Sequence, residues 1–155
     1  NVFGPNEYHK GDMRSVVLKA FEQVKSAGRI NLFKSYRQEY KDGEQERDFI
    51  YVKDAADMVL HFLSKRDICG IYNVGTGSAS TWNRLAAAIF KSMGLPRQID
   101  YIDMPVELRG KYQYRTCASV SKMRATGYAI PATRLEEAVE DYVKNYLQPG
   151  KRLGE

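Results

Sequence analysis

Four short stretches of this sequence carry residue types from which a binding or catalytic site could be built. Arg47-Asp48-Phe49 sets a planar, permanently charged guanidinium at the start of an apolar run. Such a fork suits bidentate contact with a diphosphate, and the alternative is an ordinary ion pair with a neighbouring carboxylate. Asn1 to Gly11 is punctuated by Gly4 and Pro5 and then brings Asn6, His9 and Lys10 just ahead of a helical pattern. Backbone N–H groups and a cation at a helix start favour an anion, although a plain strand-to-helix loop with a surface lysine has the same composition. Arg109-Gly-Lys111-Tyr112-Gln-Tyr114-Arg115 mixes cations with aromatics, which suits stacking on a base or closing over a sugar as well as a solvated loop with one tyrosine tucked inside. Gly75-Thr-Gly77 invites a phosphate loop, but the third glycine of the dinucleotide fingerprint is absent and no acidic residue is placed to hold a ribose, so a tight turn is expected.

Other chemistries are poorly represented. His9 and His61 are the two histidines, too few for a metal cluster, and His61 borders an apolar stripe as a structural histidine does. Cys69 and Cys117 lack metal-ligand spacing and form no disulfide framework, which points to a reducing, cytoplasmic setting. No Ser/His/Asp arrangement, paired-carboxylate motif or Tyr-x-x-x-Lys pair is legible. The 24 Lys+Arg and 19 Asp+Glu give a charge of +5, but the signs are interleaved, as in Glu44-Gln-Glu46-Arg47-Asp48. That disfavours a nucleic-acid partner and suits an anionic small molecule. At 155 residues and 43% hydrophobic content the chain has the size and core of one domain. No apolar run approaches the roughly 18 residues of a membrane span, and no charged-then-apolar leader is present.

The elements that must position these groups follow from periodicity. Residues 13–27 hold Met13, Val16, Val17, Ala20, Phe21 and Val24 at helical spacing, with Asp12 as cap and Gly28 as terminator. Ile30–Phe33 reads as a strand, residues 35–46 as a polar loop and Asp48–Val52 as a second strand, after which Asp54 stands where an N-cap belongs for a helix through Phe62. Ile68–Val74 is apolar enough for a strand covered on both faces. A helix over Leu85–Met93, a strand over Ile99–Met104 and a short helix from Ser119 to Gly127 follow. Thr133 to Glu136 has the form of a capping box for a last helix ending at Leu147, with a polar tail over 148–155. Strands alternating with helices give an α/β fold with some parallel pairing, although the strands are few for a complete doubly wound sheet.

In order along the chain, Asn1-Val-Phe-Gly-Pro5, His9-Lys-Gly11, Arg47-Asp-Phe-Ile-Tyr-Val-Lys-Asp54, Asn73-Val-Gly-Thr-Gly77 and Arg109-Gly-Lys-Tyr-Gln113 resemble the C-terminal half of the extended short-chain dehydrogenase/reductase enzymes that act on nucleotide sugars. The pairing of His9-Lys-Gly11 with Leu108-Arg-Gly-Lys-Tyr-Gln113 is similar to the ADP-glycero-manno-heptose 6-epimerase group. The resemblance implies the last Rossmann strands plus a mixed α/β substrate-binding portion over 1–147. It implies an isomerase that inverts C6 through a transient ketone with NADP, acting on ADP-heptose or a similar nucleotide sugar for lipopolysaccharide core synthesis, as a homo-oligomer. Lys10 would be one acid/base and touch the cofactor, as would Val2. A lysine serves as a base only where burial or neighbouring cations lower its pKa. Substrate contacts would come from Asn1, Asp12, Lys19, Phe33, Lys34, Ser35, Tyr36, Arg47 and Tyr112. Positions 12, 19 and 34–36 depart from the group's usual Ser, His and Glu-Gly-Ser.

The same resemblance places the Gly-rich phosphate turn, the ribose acid, most of the NADP site and the Tyr-x-x-x-Lys pair ahead of Asn1. It therefore implies a piece of a larger enzyme, inactive when isolated. Two alternatives stay open: a UDP- or dTDP-hexose epimerase or dehydratase, and a non-catalytic sugar-nucleotide-binding module.

Overall fold

The computed structural model describes residues 1–65 and 67–152. In these residues six short strands, β1 (Val2–Phe3), β2 (Ile30–Phe33), β3 (Glu46–Arg47), β4 (Ile50–Tyr51), β5 (Ser80–Thr81) and β6 (Ile99–Ile102), alternate with helices. The helices are α1 (Val16–Ala27), α2 (Val52–Leu63), α3 (Trp82–Met93), the single turns α4 (Val106–Arg109) and α5 (Ser121–Arg124), and α6 (Leu135–Tyr142), which runs on into a π-helical turn over Val143–Leu147. β1 pairs with β4 and β2 with β6, both parallel, and β3 pairs antiparallel with β5. The class is α/β, as the alternation predicts.

The main core forms where the apolar stripes of α1, α3 and α6 converge, around Leu18, Phe21, Ile89, Phe90, Val139 and Tyr142, with Ile30 of β2 beneath them. A smaller cluster of Ile50, Met58, Met123 and Tyr128 joins α2 to α5. His61 belongs to that region: its Nε2 is 2.9 Å from the Thr126 hydroxyl and its ring lies between Phe62 and Tyr128, the structural role expected.

Several local expectations give way to tertiary contacts. α1 starts at Val16, capped by Ser15, whose Oγ accepts the Leu18 N–H at 3.3 Å, while Asp12 lies in a 3₁₀ run over Tyr8–Met13. Glu7 makes the difference: its buried carboxylate accepts from the Ser15 N–H, the Ser15 hydroxyl and the Tyr142 hydroxyl, which fixes Ser15 as the cap. Asp54 and Thr133 cap neither of their helices. Asp54 sits in the first turn of α2, and its two oxygens accept the Thr133 N–H and hydroxyl, both at 2.8 Å, so each satisfies the other across the fold.

The strand expected at Asp48–Val52 is only Ile50–Tyr51, because the chain turns helical at Val52. The strand expected at Ile68–Val74 does not form. A strand needs a neighbouring backbone to pair with, and among the described residues this segment makes no strand pairing. It is held instead by side chains, Asn73 Nδ2 donating to the Ser119 carbonyl and Lys122 Nζ to that of Ile71. The short helix expected from Ser119 begins at Ser121. The polar tail is exposed through Arg152, and its last three positions lie outside the described residues.

Candidate functional site

Three segments far apart in sequence meet at Arg47. The β3–β5 register pairs Arg47 with Ser80 and Glu46 with Thr81, and a bridge sets Arg115 beside Glu46. Trp82, at the start of α3, and Tyr112 are thereby brought against the same guanidinium, with Arg47 Cζ 5.1 Å from the centroid of the Tyr112 ring and 5.7 Å from that of Trp82. The Trp82 indole N–H donates to the Tyr112 hydroxyl at 3.0 Å. Phe33, at the end of β2, meets Tyr112 edge-on at 6.3 Å, and Phe49 meets Trp82 at 5.0 Å.

Arg47, Trp82, Tyr112 and Phe33 line a cavity of about 400 Å³ whose remaining wall includes Val16, Gln23, Asn31, Leu32 and Ile102. Arg47 is buried to 9% exposure, yet among the described residues its side chain donates only to the Glu46 carbonyl, at 2.8 Å. Among the described residues no carboxylate pairs with it, so the ion-pair alternative does not hold. A desolvated guanidinium without a counter-ion is costly, and one that faces a cavity is arranged to receive an anion. The burial of Tyr112 pushes its phenol above the ordinary range, against the opposing pull of Arg47 and the Trp82 N–H, so it remains a neutral hydroxyl.

A second cavity, of about 260 Å³, adjoins the first at Val16 and is lined by Asn1, Val2, Phe3, Met13, Arg14 and Phe49 among others. Asn1 and Val2 therefore open onto a space that shares Val16 with the cavity at Arg47. Lys10 is on the exposed 3₁₀ turn and lines neither cavity. That turn is clamped at both ends, by Glu7 as described and by Lys19, whose ammonium donates to the Asp12 carbonyl. Asp12 and Lys19 thus meet each other, away from Arg47.

Of the segment 33–36, only Phe33 reaches the cavity. Lys34 pairs with Asp103 at 3.1 Å, and the Tyr36 hydroxyl donates to the same carboxylate at 2.9 Å beneath the stacked Arg109 guanidinium. The Ser35 N–H donates to Asp42. Asp103 holds this separate, exposed group together. Trp82, Gln23 and Asn31 carry no signal in sequence, since a helix-start tryptophan and two surface amides are ordinary. Only the strand register brings them to Arg47.

The Gly75-Thr-Gly77 turn is a nest that is already filled. Asp48 accepts from the Thr76 hydroxyl at 2.6 Å and from the N–H groups of Thr76, Gly77 and Ala118 at 2.9, 3.0 and 3.0 Å. Burial alone would raise its pKa, but these four donors outweigh it and hold the carboxyl below its usual range. The N–H groups of Thr76 and Gly77 are therefore already taken by Asp48. Among the described residues no group of His, Cys, Asp and Glu could hold a metal ion, and no helix is long and apolar enough to cross a membrane.

Residues 1–75 match the model of the NAD dependent epimerase/dehydratase family. The chain is 50% identical over 147 residues to an ADP-L-glycero-D-manno-heptose-6-epimerase from Nitratidesulfovibrio vulgaris, a match covering 95% of the chain and 46% of that relative. It is 46% identical over 154 residues to the enzyme of the same name from Fusobacterium nucleatum, with the same coverage. It thus spans about half the length of these curated relatives. The fold superposes on the Helicobacter pylori ADP-L-glycero-D-manno-heptose-6-epimerase with a TM-score of 0.77 at 26% identity, over 94% of this chain and 41% of that one. It also superposes on a Methanobrevibacter ruminantium UDP-N-acetylglucosamine 4-epimerase with a TM-score of 0.76 at 24% identity, over 96% and 44%, a likeness of fold alone. In sequence over residues 1–75, and in fold, the chain is thus similar to the NAD dependent epimerase/dehydratase family.

Proposed function

We propose that this chain is the nucleotide-sugar-gripping portion of an isomerase that inverts C6 of ADP-glycero-manno-heptose, a cytoplasmic step toward the lipopolysaccharide core. The observation that carries the proposal is the buried Arg47, with no carboxylate partner among the described residues, facing a cavity walled by Tyr112, Trp82 and Phe33. Guanidinium N–H groups and a neutral phenol form a donor-rich site beside aromatic and apolar surface, which suits a diphosphate flanked by a base or sugar.

In this proposal Arg47 clamps the diphosphate, Tyr112 donates to it or to the adjoining sugar, and Asn1 meets the sugar from the neighbouring cavity. Asp12, Lys19, Lys34, Ser35 and Tyr36 are second-rank substrate contacts, because in this chain they bond to one another, to Asp42 or to Asp103. Val2 and Lys10 would border NADP, which when bound would supply reversible hydride transfer at C6. Lys10 would exchange the proton of the C6 oxygen on one face of the transient ketone. Most of the cofactor site and the second acid/base would lie on the part of the longer relatives that this chain does not span, so the chain alone would be inactive.

The test is ADP affinity in the full-length protein. Arg47→Ala is expected to weaken it at least about 100-fold, the loss of a desolvated charge pair, with the melting temperature held. Unchanged affinity would refute the site. Competition then decides the sugar: ADP-heptose should displace ADP at lower concentration than UDP- or dTDP-hexoses do. The reverse order would favour a hexose epimerase or dehydratase, to which the departures at 12, 19 and 34–36 are the pointer. Tight binding of ADP-heptose without epimer exchange in the full-length protein would favour a pure binding module.

A further expectation concerns association. On α2, Val59, Leu60 and Leu63 are 54, 57 and 72% exposed, and Ile71 is 89% exposed. Apolar surface of this kind marks a contact. The 155-residue chain alone is expected to self-associate in light scattering, and Leu60→Glu with Leu63→Glu should return it to a monomer. A monomeric unaltered chain would contradict this.

A further inference from the structure

Trp82 is the first residue of α3, and its place is fixed from two sides. Its backbone N–H donates to the Gln45 carbonyl at 3.2 Å and that of Asn83 to Gly43 at 3.0 Å, while its ring packs edge-on against Phe49. The indole N–H is thereby aimed at the Tyr112 oxygen. A phenol carries one proton and two lone pairs. With one lone pair taken by the indole, a proton directed toward the same side would meet a donor. The Tyr112 hydroxyl has no acceptor among the described residues, so its proton is turned away from Trp82 and free to donate into the cavity lined by both rings and Arg47.

We propose that Trp82 is a positioning residue for phosphoryl recognition: its N–H sets the Tyr112 hydroxyl as a donor beside the Arg47 guanidinium, so that an anion meets a fork and a hydroxyl already oriented. The proposal rests on the cavity being the nucleotide-sugar site. It adds a residue that acts through Tyr112 and that touches the ligand at most by its ring face. Without the indole N–H the phenolic proton samples both in-plane orientations, and the accepting phosphate oxygen must organise it.

A double-mutant cycle on ADP affinity in the full-length protein tests this. Trp82→Phe keeps the aromatic packing and removes the N–H. Alone, Trp82→Phe and Tyr112→Phe are each expected to weaken ADP binding about ten-fold, the scale of one charge-assisted hydrogen bond. The double variant should be within about two-fold of Tyr112→Phe, since Trp82 has nothing left to orient. Losses that multiply, or a Trp82→Phe protein that binds ADP as tightly as the unaltered one, overturn the proposal. If Arg47→Ala also binds ADP normally, the cavity itself is misassigned. If Arg47→Ala fails while the cycle is additive, only the role of Trp82 falls. A second readout leaves Trp82 in place: its indole N–H resonance should shift when ADP is added to the unaltered protein and stay still in Tyr112→Phe. An equal shift in both overturns the proposal.

Discussion

Lys10→Ala in the full-length protein is expected to slow exchange between the C6 epimers by about 10²- to 10⁴-fold, the range of a lost general acid/base, while ADP affinity changes by less than about two-fold. The split follows from where Lys10 stands. It lines neither cavity around Arg47, so removing it leaves the diphosphate clamp intact. Its turn is nevertheless held firmly, by Glu7 against Ser15 and Tyr142 and by Lys19 against Asp12. A clamp on a solvent-facing turn makes sense if the amine it carries must meet a surface supplied from elsewhere. Lys10→Arg separates charge from proton transfer, because a guanidinium keeps the charge but does not release a proton near neutral pH. It should be as slow as Lys10→Ala. Epimer exchange followed by NMR, with calorimetry for ADP, checks both. Normal exchange in Lys10→Ala would leave the clamped turn a structural feature and remove Lys10 from the chemistry.

Asp48→Ala is expected to cost about 3 kcal/mol or more, because it strands three N–H groups and one hydroxyl that Asp48 now satisfies. For a domain of this size that corresponds to a melting temperature lower by roughly 10 °C. The carboxyl pKa in the folded chain is below its ordinary value of 3.8, so the unfolded chain takes up the proton first as pH falls. Its contribution to stability is therefore complete above that ordinary value and is lost as pH drops through the depressed folded value. Denaturant titrations should show the unaltered protein losing stability across this acid window and Asp48→Asn losing less. Equal slopes would mean that the knot carries no charge-dependent stability. Since Asp48 adjoins Arg47, Asp48→Ala should also weaken ADP binding, whereas Arg47→Ala should leave the melting temperature in place.

The stripe from Val17 through Leu18 and Phe21 to Val24 determines α1, Gly28 closes it, and the largely apolar run at Ile30–Phe33 determines β2. These signals were legible because helix and strand periods are properties of neighbours in sequence. Arg47, Tyr112 and Phe33 were singled out too, partly from residue type and partly from the resemblance carried by the Arg-Asp-Phe and Lys-Tyr-Gln motifs, and the structure brings the three to one cavity. Ends of elements were not. Ser15 displaced Asp12 as a cap, and Asp54 and Thr133 satisfied each other, because partners 79 residues apart competed with local caps. Ile68–Val74 had the composition of a strand, but composition does not supply a neighbouring backbone.

What the amino-acid order determined by itself was the α/β alternation and the family motifs, since periodicity and residue type belong to short stretches of chain. Only the tertiary structure decided that the glycine turn is filled by Asp48 and that Trp82 stands beside Arg47. It also decided that Lys34, Ser35 and Tyr36 turn to Asp103 and Asp42, away from the cavity. Each of these depends on the β3–β5 register or on a long-range hydrogen bond, and such pairings are chosen by the free energy of the whole fold, which no local window of sequence contains.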